Sequence, residues 1–131
     1  MQNNKDVIRS WVEAYNKRDA NAAAGLYHPK AVNLQVAVGA PLIGRKAIYE
    51  QLVGFFKAIP DNFTKIENLF EDGSWVILEW TGGGTFYKTP RSKGKAFRFE
   101  GCGFFKVKNR KIVFQRGYWD MKKWEQVTGT K

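Results

Sequence analysis

The chain has 131 residues, of which 44% are hydrophobic and 15% aromatic, and its formal net charge is +10. This length predicts a single domain, 1–131, with a substantial core, and so many rings suggest that some line a cavity or an interface. No apolar run reaches the roughly 18 residues that a membrane span needs, and the polar start (residues 1–5) lacks the apolar stretch of a signal peptide. The single cysteine, Cys102, excludes an internal disulfide and a cysteine-built zinc site. We therefore expect a cytoplasmic protein with no membrane partner.

The basic charge is concentrated in the second half of the chain. Twelve of the 22 basic residues lie between Lys88 and Lys123. Such a charge can attract nucleic acid or anionic ligands. The basic residues alternate with apolar ones, however, as on the outer face of a half-buried strand. No signature of an RNA-recognition sheet or of a helix-turn-helix is present. A solvated surface is the favoured interpretation, and nucleic acid is not the expected partner.

Three helices are predicted in the first half of the chain. Apolar residues at spacings of three and four predict an amphipathic helix over residues 4–18, with Asn3 or Asn4 as its cap. Asp19 can cap a short second helix over 20–27, which Pro29 is expected to end. The same spacing predicts a third helix over 45–58.

The rest of the chain predicts strands. A short strand is expected before the third helix, and after that helix the hydrophobic period changes to two. The predicted strands are 31–38, 63–70, 75–81, 95–107 and 111–121. The run Gly82-Gly83-Gly84 is expected to mark a bulge or bend, because glycine within a strand is typical of one. A phosphate-binding loop is excluded, because no Gly-Lys-Ser/Thr sequence and no helix follow the run. A final helical turn is expected over 122–127. This order predicts an α+β fold in which a curled antiparallel sheet and the helices enclose a cone-shaped cavity.

Short motifs along nearly the whole chain carry a resemblance to a known superfamily. They are Tyr15-Asn16-Lys17-Arg18-Asp19, Leu26-Tyr27-His28-Pro29-Lys30-Ala31-Val32, Gly44-Arg45-Lys46-Ala47-Ile48, Phe55-Phe56-Lys57-Ala58-Ile59-Pro60-Asp61, Glu79-Trp80, Gly84-Thr85, Gly94-Lys95 and Arg116-Gly117-Tyr118-Trp119-Asp120, with Gln126 and Gly129 downstream. With these motifs the chain resembles the nuclear-transport-factor-2-like superfamily, and within it the SnoaL-like polyketide cyclases and ketosteroid-isomerase-like proteins. The resemblance implies a cone-shaped α+β barrel, with three N-terminal helices packed on a curved antiparallel sheet. It fixes no activity, because the superfamily hosts isomerases, cyclases, epoxide hydrolases, dehydratases and non-enzymatic binders.

Asp120 is the candidate catalytic residue. The resemblance to SnoaL-like cyclases implies that it acts as a general acid/base, and an apolar pocket would raise the pKa of its carboxyl group toward neutrality. Side chains alternate along a strand, so if Asp120 faces the cavity, Tyr118 and Arg116 line the same wall. The alternative is that Asp120 ends the strand and caps the helical turn over 122–127, or pairs with a surface lysine.

Four further polar residues are candidates for the cavity wall. Glu79 lies in an apolar strand, as a buried functional acid or as the cross-strand partner of Arg98, and Glu100 has the same ambiguity. Tyr15 lies on the apolar side of the first helix, where the resemblance to steroid isomerases implies a hydrogen-bonding tyrosine; a core tyrosine is the alternative. Gln35 falls near the position of the isomerase base, and because an amide cannot take up a proton it argues against steroid isomerisation.

Two remaining residue types carry little chemistry. His28 precedes a proline at a predicted helix end, which favours a loop or the cavity rim over an acid/base role at the mouth. A lone histidine without carboxylate partners at recognisable spacing predicts no metal site. Cys102, between two glycines in a strand, is most simply a small core residue.

The sequence thus predicts a pocket for a small hydrophobic molecule, and the basic charge favours an anionic one. Its expected binding residues are Trp11, Tyr15, Gln35, Leu52, Phe55, Phe56, Glu79, Arg116 and Tyr118, with Asp120 as the catalyst. The first hypothesis is a cofactor-free cyclase or isomerase acting on a carbonyl compound. The alternative is a non-catalytic ligand-binding or interaction domain of the same fold. A homodimer is expected, packing sheet against sheet through outward aromatic residues such as Trp119.

Overall fold

The computed structural model describes residues 3–129, so the first two residues of the polar start lie outside the described part. The helices are α1 (Asn4–Asn16), α2 (Ala20–Gly25), α3 (Arg45–Ala58) and α4 (Met121–Thr128). The strands are β1 (Tyr27–Gln35), β2 (Leu42–Ile43), β3 (Phe63–Asp72), β4 (Trp75–Phe86), β5 (Lys95–Lys108) and β6 (Lys111–Trp119). No helix within residues 3–129 is long and apolar enough to cross a membrane.

The strands form a six-stranded sheet in the order β2-β1-β6-β5-β4-β3. The α+β class is confirmed, with one difference in the pairing: β1 runs parallel to β6, while the other neighbours are antiparallel. A parallel pair needs a crossover connection, and here everything from β2 to β5 lies between the two strands in sequence. The first and last strands of the chain therefore become neighbours at the centre of the fold.

The helices α1 and α3 cover one face of the sheet. Asn3 caps α1, its side chain accepting from the backbone N–H of Asp6, and the apolar stripe of the helix is buried. That stripe packs with the buried residues of α3 and of the inner sheet face, such as Ile48, Leu78 and Phe105, in one core cluster. The apolar residues whose spacing predicted α1 are therefore the residues that the helix buries in the core.

The prediction that the second helix extends to residue 27 and is ended by Pro29 was wrong. The helix stops at Gly25, and Pro29 lies inside β1. The backbone N–H of Ile112 donates to the carbonyl of Leu26 at 2.8 Å, which holds the chain in the sheet. The pairing of β1 with β6 shifts register between Tyr27 and Val32, and an irregular stretch of this kind tolerates a residue without an N–H.

The glycine run in β4 does not interrupt the strand. Gly82, Gly83 and Gly84 pair in unbroken register with residues of β5, so the expected bulge is absent from this pairing. The glycines instead allow a close approach. At Gly84, where φ is +146°, an added Cβ would lie 2.6 Å from Cγ2 of Ile59 and 3.1 Å from Cα of Asn62. Glycine is needed there because the segment that follows α3 lies directly against β4.

A bulge is present in β6. Val107 of β5 pairs with Ile112, but Lys106 pairs with Phe114, so Val113 is an extra residue in the ladder. Ile112 before the bulge is fully buried, and after it Gln115 is 6% exposed. A bulge shifts the alternation of side chains between the two faces of a strand by one residue. After Val113, the inward positions of β6 are therefore the odd-numbered residues.

We expect Gly84→Ala to lower the free energy of unfolding by about 2 kcal/mol, because the new methyl group overlaps Ile59 and the backbone conformation disfavours any side chain. Urea denaturation followed by circular dichroism measures this. Gly25→Ala is the matched control, since nothing lies within 4 Å of a Cβ at that position. Equal midpoints for the two variants would contradict the close approach at Gly84.

Candidate functional site

A cavity of about 290 Å³ lies between the helices and the inner face of the sheet. Most of its wall is apolar and largely aromatic. The polar side chains on the wall are Tyr15, Tyr27, Asn33, Gln35, Gln51, Asn62, Thr64 and Gln115. Among the described residues that line it, none is an acid, a lysine, an arginine or a histidine. The cavity therefore offers neutral hydrogen-bonding groups in an apolar surrounding.

The structure places five of the predicted binding residues on this wall. They are Trp11, Tyr15, Gln35, Leu52 and Phe55. Phe56 does not line the cavity. It is 8% exposed and packs edge-to-face on the ring of Tyr15, with the ring centroids 5.1 Å apart. Phe56 supports the wall from behind, because residues 55 and 56 of a helix point in different directions.

The prediction that Asp120 faces the cavity was wrong. Asp120 is exposed and is the N-cap of α4, where its carboxylate accepts from the backbone N–H of Lys123 at 3.1 Å. It is not part of the cavity wall. The structure therefore shows the alternative that the sequence left open, in which Asp120 ends the strand and caps the helix.

Arg116 and Tyr118 also lie on the opposite face of the sheet from the cavity, contrary to prediction. The alternation that groups them was right, but the bulge at Val113 turns them outward. Tyr118 is 40% exposed. The guanidinium carbon of Arg116 lies 5.3 Å from the ring centroid of Phe104 and 6.0 Å from that of Tyr118. Trp119, expected on the outer face, lines the cavity wall and also borders the groove on the outer face.

The remaining candidate acids lie on the outer face as well. Glu79 is exposed and accepts from the side chain of Asn68 at 2.6 Å, and its register neighbour in β5 is Cys102, not Arg98. Glu100 and Cys102 line the same shallow outer groove as Glu79. The prediction of Glu79 as a pocket residue was therefore wrong, and the expectation of Arg98 as its partner fails because the strands pair in a different register.

His28 is exposed and does not line the cavity. Its Nδ1 accepts from the backbone N–H of Lys30 at 3.0 Å. Cys102 is half-buried on the outer face and has no disulfide partner. Within residues 3–129, no group of three or more histidine, cysteine, aspartate or glutamate side chains is arranged to hold a metal ion.

Two hydrogen-bond relays run along the cavity wall. In the first, Nε1 of Trp11 donates to the hydroxyl of Tyr27 at 3.0 Å, and that hydroxyl donates to Oε1 of Gln115. In the second, Nε1 of Trp119 donates to Oε1 of Gln35 at 2.8 Å, and Nε2 of Gln35 donates to Oδ1 of Asn33 at 2.7 Å. The relays involve six side chains, of which the sequence predicted only two as site residues.

Burial raises the pKa of the Tyr15 and Tyr27 hydroxyls far above the usual value, so both remain protonated at neutral pH. Tyr27, Asn33 and Gln115 were missed by sequence reasoning. Tyr27 falls in the segment that was expected to be helical, and Gln115 faces inward only because of the bulge. Neither residue carries a local pattern that marks it as part of a cavity.

An aromatic cluster at α4 forms another part of the wall. The ring of Trp124 contacts those of Phe86, Phe97, Phe99 and Trp119, with centroid separations from 5.7 to 6.2 Å. Trp124, Phe97, Phe99 and Trp119 all line the cavity. The predicted single helical turn is a helix of eight residues, and its aromatic side chain covers one side of the cavity.

The comparisons with known proteins agree with this architecture. The model of the family described as SnoaL-like domain matches residues 8–115. No curated protein matches the sequence.

Several solved structures share the fold. A protein from Catenulispora acidiphila with a ketosteroid isomerase-like fold, in complex with trimethylamine, has a TM-score of 0.83 at 18% identity, covering 96% of this chain and 94% of that one. A protein from Shewanella denitrificans named as a SnoaL-like polyketide cyclase has a TM-score of 0.84 at 14% identity, covering 98% of each chain. An LEH-like epoxide hydrolase from M. tuberculosis has a TM-score of 0.77 at 18% identity, covering 95% of this chain and 88% of that one. At these identities the likeness shows the fold.

We expect Asp120→Ala to lower the free energy of unfolding by about 1 kcal/mol through loss of the α4 cap, while Asp120→Asn stays near the parent because asparagine caps equally well. Thermal and urea denaturation measure both variants. Equal destabilisation by Asp120→Asn and Asp120→Ala would mean that the stabilising effect of Asp120 depends on its negative charge and does not come from the capping hydrogen bond alone.

Proposed function

The chain belongs to the SnoaL-like domain family, and we propose that it binds a small, mainly apolar organic molecule in its cavity without converting it chemically. The observation that carries this proposal is the neutrality of the cavity wall. General acid–base catalysis needs a group that gains or loses a proton near neutral pH within hydrogen-bond reach of the substrate. The titratable side chains among the described lining residues are Tyr15 and Tyr27, and burial keeps both protonated.

The size and lining of the cavity support a small ligand. Its volume of about 290 Å³ is close to the lower limit of roughly 300–1,000 Å³ for small-molecule sites, which are mostly apolar with a few polar groups. Burying apolar ligand surface against such a wall stabilises a complex by roughly 25 cal/mol per Å². In the Catenulispora acidiphila protein, the same fold is found in complex with a small molecule.

A cyclase or isomerase activity on a carbonyl compound is the second candidate function. The hydroxyl of Tyr15 has no hydrogen-bond partner within residues 3–129, and a protonated phenol can stabilise negative charge that develops on a carbonyl oxygen. The Shewanella denitrificans structure carries the name of a polyketide cyclase. This candidate is less favoured because it also needs a group to take up the proton from carbon.

The surface charge favours an anionic ligand over a cationic one. The loop over 87–94, which joins β4 to β5, exposes Lys88, Arg91 and Lys93, and none of these forms an ion pair within residues 3–129. A positive field of this kind raises the encounter rate of anions. Binding in the cytoplasm stays a prediction from the sequence.

We expect Val38→Trp to weaken binding of a bicyclic apolar probe such as 2-acetylnaphthalene by at least about tenfold, because Val38 lines the cavity, is 58% exposed and can accept a larger side chain without unfolding. Isothermal titration calorimetry measures the affinity. Ile43→Trp is the control, since Ile43 is 70% exposed and lies outside the cavity wall.

Equal loss of affinity in the two variants would mean that the probe binds elsewhere. Recovery of the probe in altered chemical form after incubation with the parent protein would instead favour the second candidate. Mass spectrometry of the released probe distinguishes these outcomes.

We also propose that the protein is a homodimer that pairs through the outer face of the sheet. This face is rich in large apolar side chains from β3 to β6, among them Phe70 (55% exposed), Trp75, Ile77, Phe104, Phe114 and Tyr118. An exposed apolar face of this extent is typical of an interface. Trp119 lines the cavity, and it also borders the groove on this outer face.

The charges of the outer face support a second copy as its occupant. Nε of Arg116 is buried without a hydrogen-bond partner in the described part of the chain. Glu67, Glu79 and Glu100 surround a groove on the same face. A two-fold axis brings the same surface of both copies together, so a face that carries an unpaired cation and a group of acids can complement itself.

We expect Ile77→Asp to shift the protein from dimer to monomer, because it introduces a charge at the centre of the apolar face. Sedimentation velocity over a range of protein concentrations measures the association. Ile43→Asp on β2 is the matched control and should leave the association constant within about threefold of the parent, since it lies away from the interface. A parent protein that sediments as a monomer at every concentration would overturn the dimer.

A further inference from the structure

Both relays in the cavity wall begin at a tryptophan, which fixes the direction of the first hydrogen bond in each. An indole N–H donates a hydrogen bond and cannot accept one. The hydroxyl oxygen of Tyr27 therefore accepts from Trp11, and in this structure the hydroxyl donates its proton to Oε1 of Gln115. With Oε1 occupied, the free end of the Gln115 amide is Nε2, which carries two N–H groups.

The second relay ends in the same way. Trp119 fixes Oε1 of Gln35 as its acceptor, so Nε2 of Gln35 is the group that faces Asn33. An N–H group requires an acceptor, and the atom of Asn33 that meets it is therefore Oδ1. The free end of the Asn33 amide is then Nδ2, again with two N–H groups.

The two free amide ends lie next to each other. Asn33 of β1 and Gln115 of β6 are register partners on neighbouring parallel strands, which lie about 4.8 Å apart. Both side chains line the cavity, and they are only 7% and 6% exposed. Within residues 3–129, neither Nδ2 of Asn33 nor Nε2 of Gln115 has a hydrogen-bond partner. Both nitrogens are open to the space of the cavity rather than fully buried, so an acceptor on a ligand can reach their N–H groups.

Gly117 makes this arrangement possible. It is the register partner of Gln35, and a Cβ at this position would lie 2.8 Å from Cδ and 2.9 Å from Nε2 of the Gln35 side chain. Any other residue would displace that side chain and break the relay from Trp119 to Asn33. The donors are therefore held by the backbone as well as by their hydrogen bonds.

We propose that the amide groups of Asn33 and Gln115 form a neutral donor pair that binds an acceptor oxygen of the ligand, either a carbonyl or a carboxylate. This inference rests on the proposed binding function and names the ligand class. One N–H group from each of the two amides, on adjacent strands, matches the two lone pairs of such an oxygen. An ammonium group offers only donors, and donors opposite these amides find no partner.

The experiment compares four probes that share a naphthalene ring. They are 2-acetylnaphthalene, 2-naphthoate, 2-isopropylnaphthalene, which has the shape of the ketone without its oxygen, and 1-(2-naphthyl)ethylammonium. We expect the ketone to bind about tenfold more tightly than the hydrocarbon, and the ammonium probe to bind most weakly. The ratio of ketone to naphthoate affinity then distinguishes a carbonyl ligand from a carboxylate one. Titration calorimetry measures all four affinities.

Variants locate the effect. Asn33→Leu and Gln115→Met keep the side-chain size but remove the donors, and each should bring the ketone-to-hydrocarbon ratio to within about threefold of unity. Gln126→Met is the control, because Gln126 is exposed on α4 and lies outside the cavity wall. It should leave the ratio at its parent value.

A measurement on the parent protein does not depend on the variants folding. The side-chain NH₂ resonances of Asn33 and Gln115 should shift on addition of the ketone in ¹⁵N-correlated spectra, and should shift much less with the hydrocarbon. Equal affinities for the ketone and the hydrocarbon would overturn the donor pair while leaving the proposed binding function intact. Tightest binding of the ammonium probe would also overturn it. Binding of none of the four probes would contradict the proposed function, and the donor pair with it.

Discussion

The extra residue of β6, Val113, determines which side chains of the central strand enter the cavity. Because β6 lies between β1 and β5, its inward residues contact groups from both ends of the chain. After the bulge those residues are Gln115, Gly117 and Trp119, and each is needed by a neighbour. Gln115 accepts from Tyr27, Gly117 leaves room for Gln35, and Trp119 donates to Gln35. Without the extra residue, the alternation of β6 would be shifted by one, and Phe114, Arg116 and Tyr118 would face the cavity in their place.

The same shift gives the outer face its character. The residues that the bulge turns outward, Phe114, Arg116 and Tyr118, join Phe104 in a group of rings around one guanidinium. A cation over aromatic faces is stabilised without a carboxylate partner, which allows Arg116 to be half-buried although no acid within residues 3–129 forms an ion pair with it. One irregularity in one strand therefore produces both a neutral interior and a charged aromatic exterior.

The neutral interior follows from the cost of burying charge. The protein carries a net charge of +10, yet its charges stay outside, and the ion pairs found in residues 3–129 lie largely exposed at the surface. An unpaired ion in an apolar cavity would cost several kcal/mol. Neutral amides and phenols avoid this cost when they are joined in chains of hydrogen bonds. Each chain here begins at an indole N–H group, which donates a hydrogen bond and cannot accept one. The two tryptophans supply that order, so the wall has polar groups of known direction without any charge.

Sequence reasoning located the parts of this fold that depend on local pattern. The helices α1 and α3 show a period of three to four, the caps Asn3 and Asp19 are side chains with the required acceptors, and the cavity residues Trp11, Tyr15, Leu52 and Phe55 lie on those helices. A helix has one apolar stripe, so its buried face can be identified without knowing its partner.

The strands were less predictable, because alternation groups residues by face but does not say which face is inward. In β6 both faces carry large or polar side chains, and the choice depends on the bulge, which arises from its pairing with β5. The parallel pairing of β1 and β6 joins residues more than 80 positions apart, and no local pattern records it. The wrong placement of Asp120, Arg116 and Tyr118 in the cavity comes from the bulge at Val113, which the sequence alone does not reveal.

Asp120 influences the cavity although it does not line it. It is the first residue beyond β6 and it caps α4, and α4 carries Trp124 into the aromatic cluster beside Phe99 and Trp119. The chain therefore passes from an inward ring at residue 119, through an exposed cap at 120, to an inward ring at 124. An aspartate at this position serves the packing of the wall, because a capped helix holds its tryptophan in place. A ligand that contacts Trp124 would in turn stabilise α4, since binding to the folded state favours every element that the bound state needs.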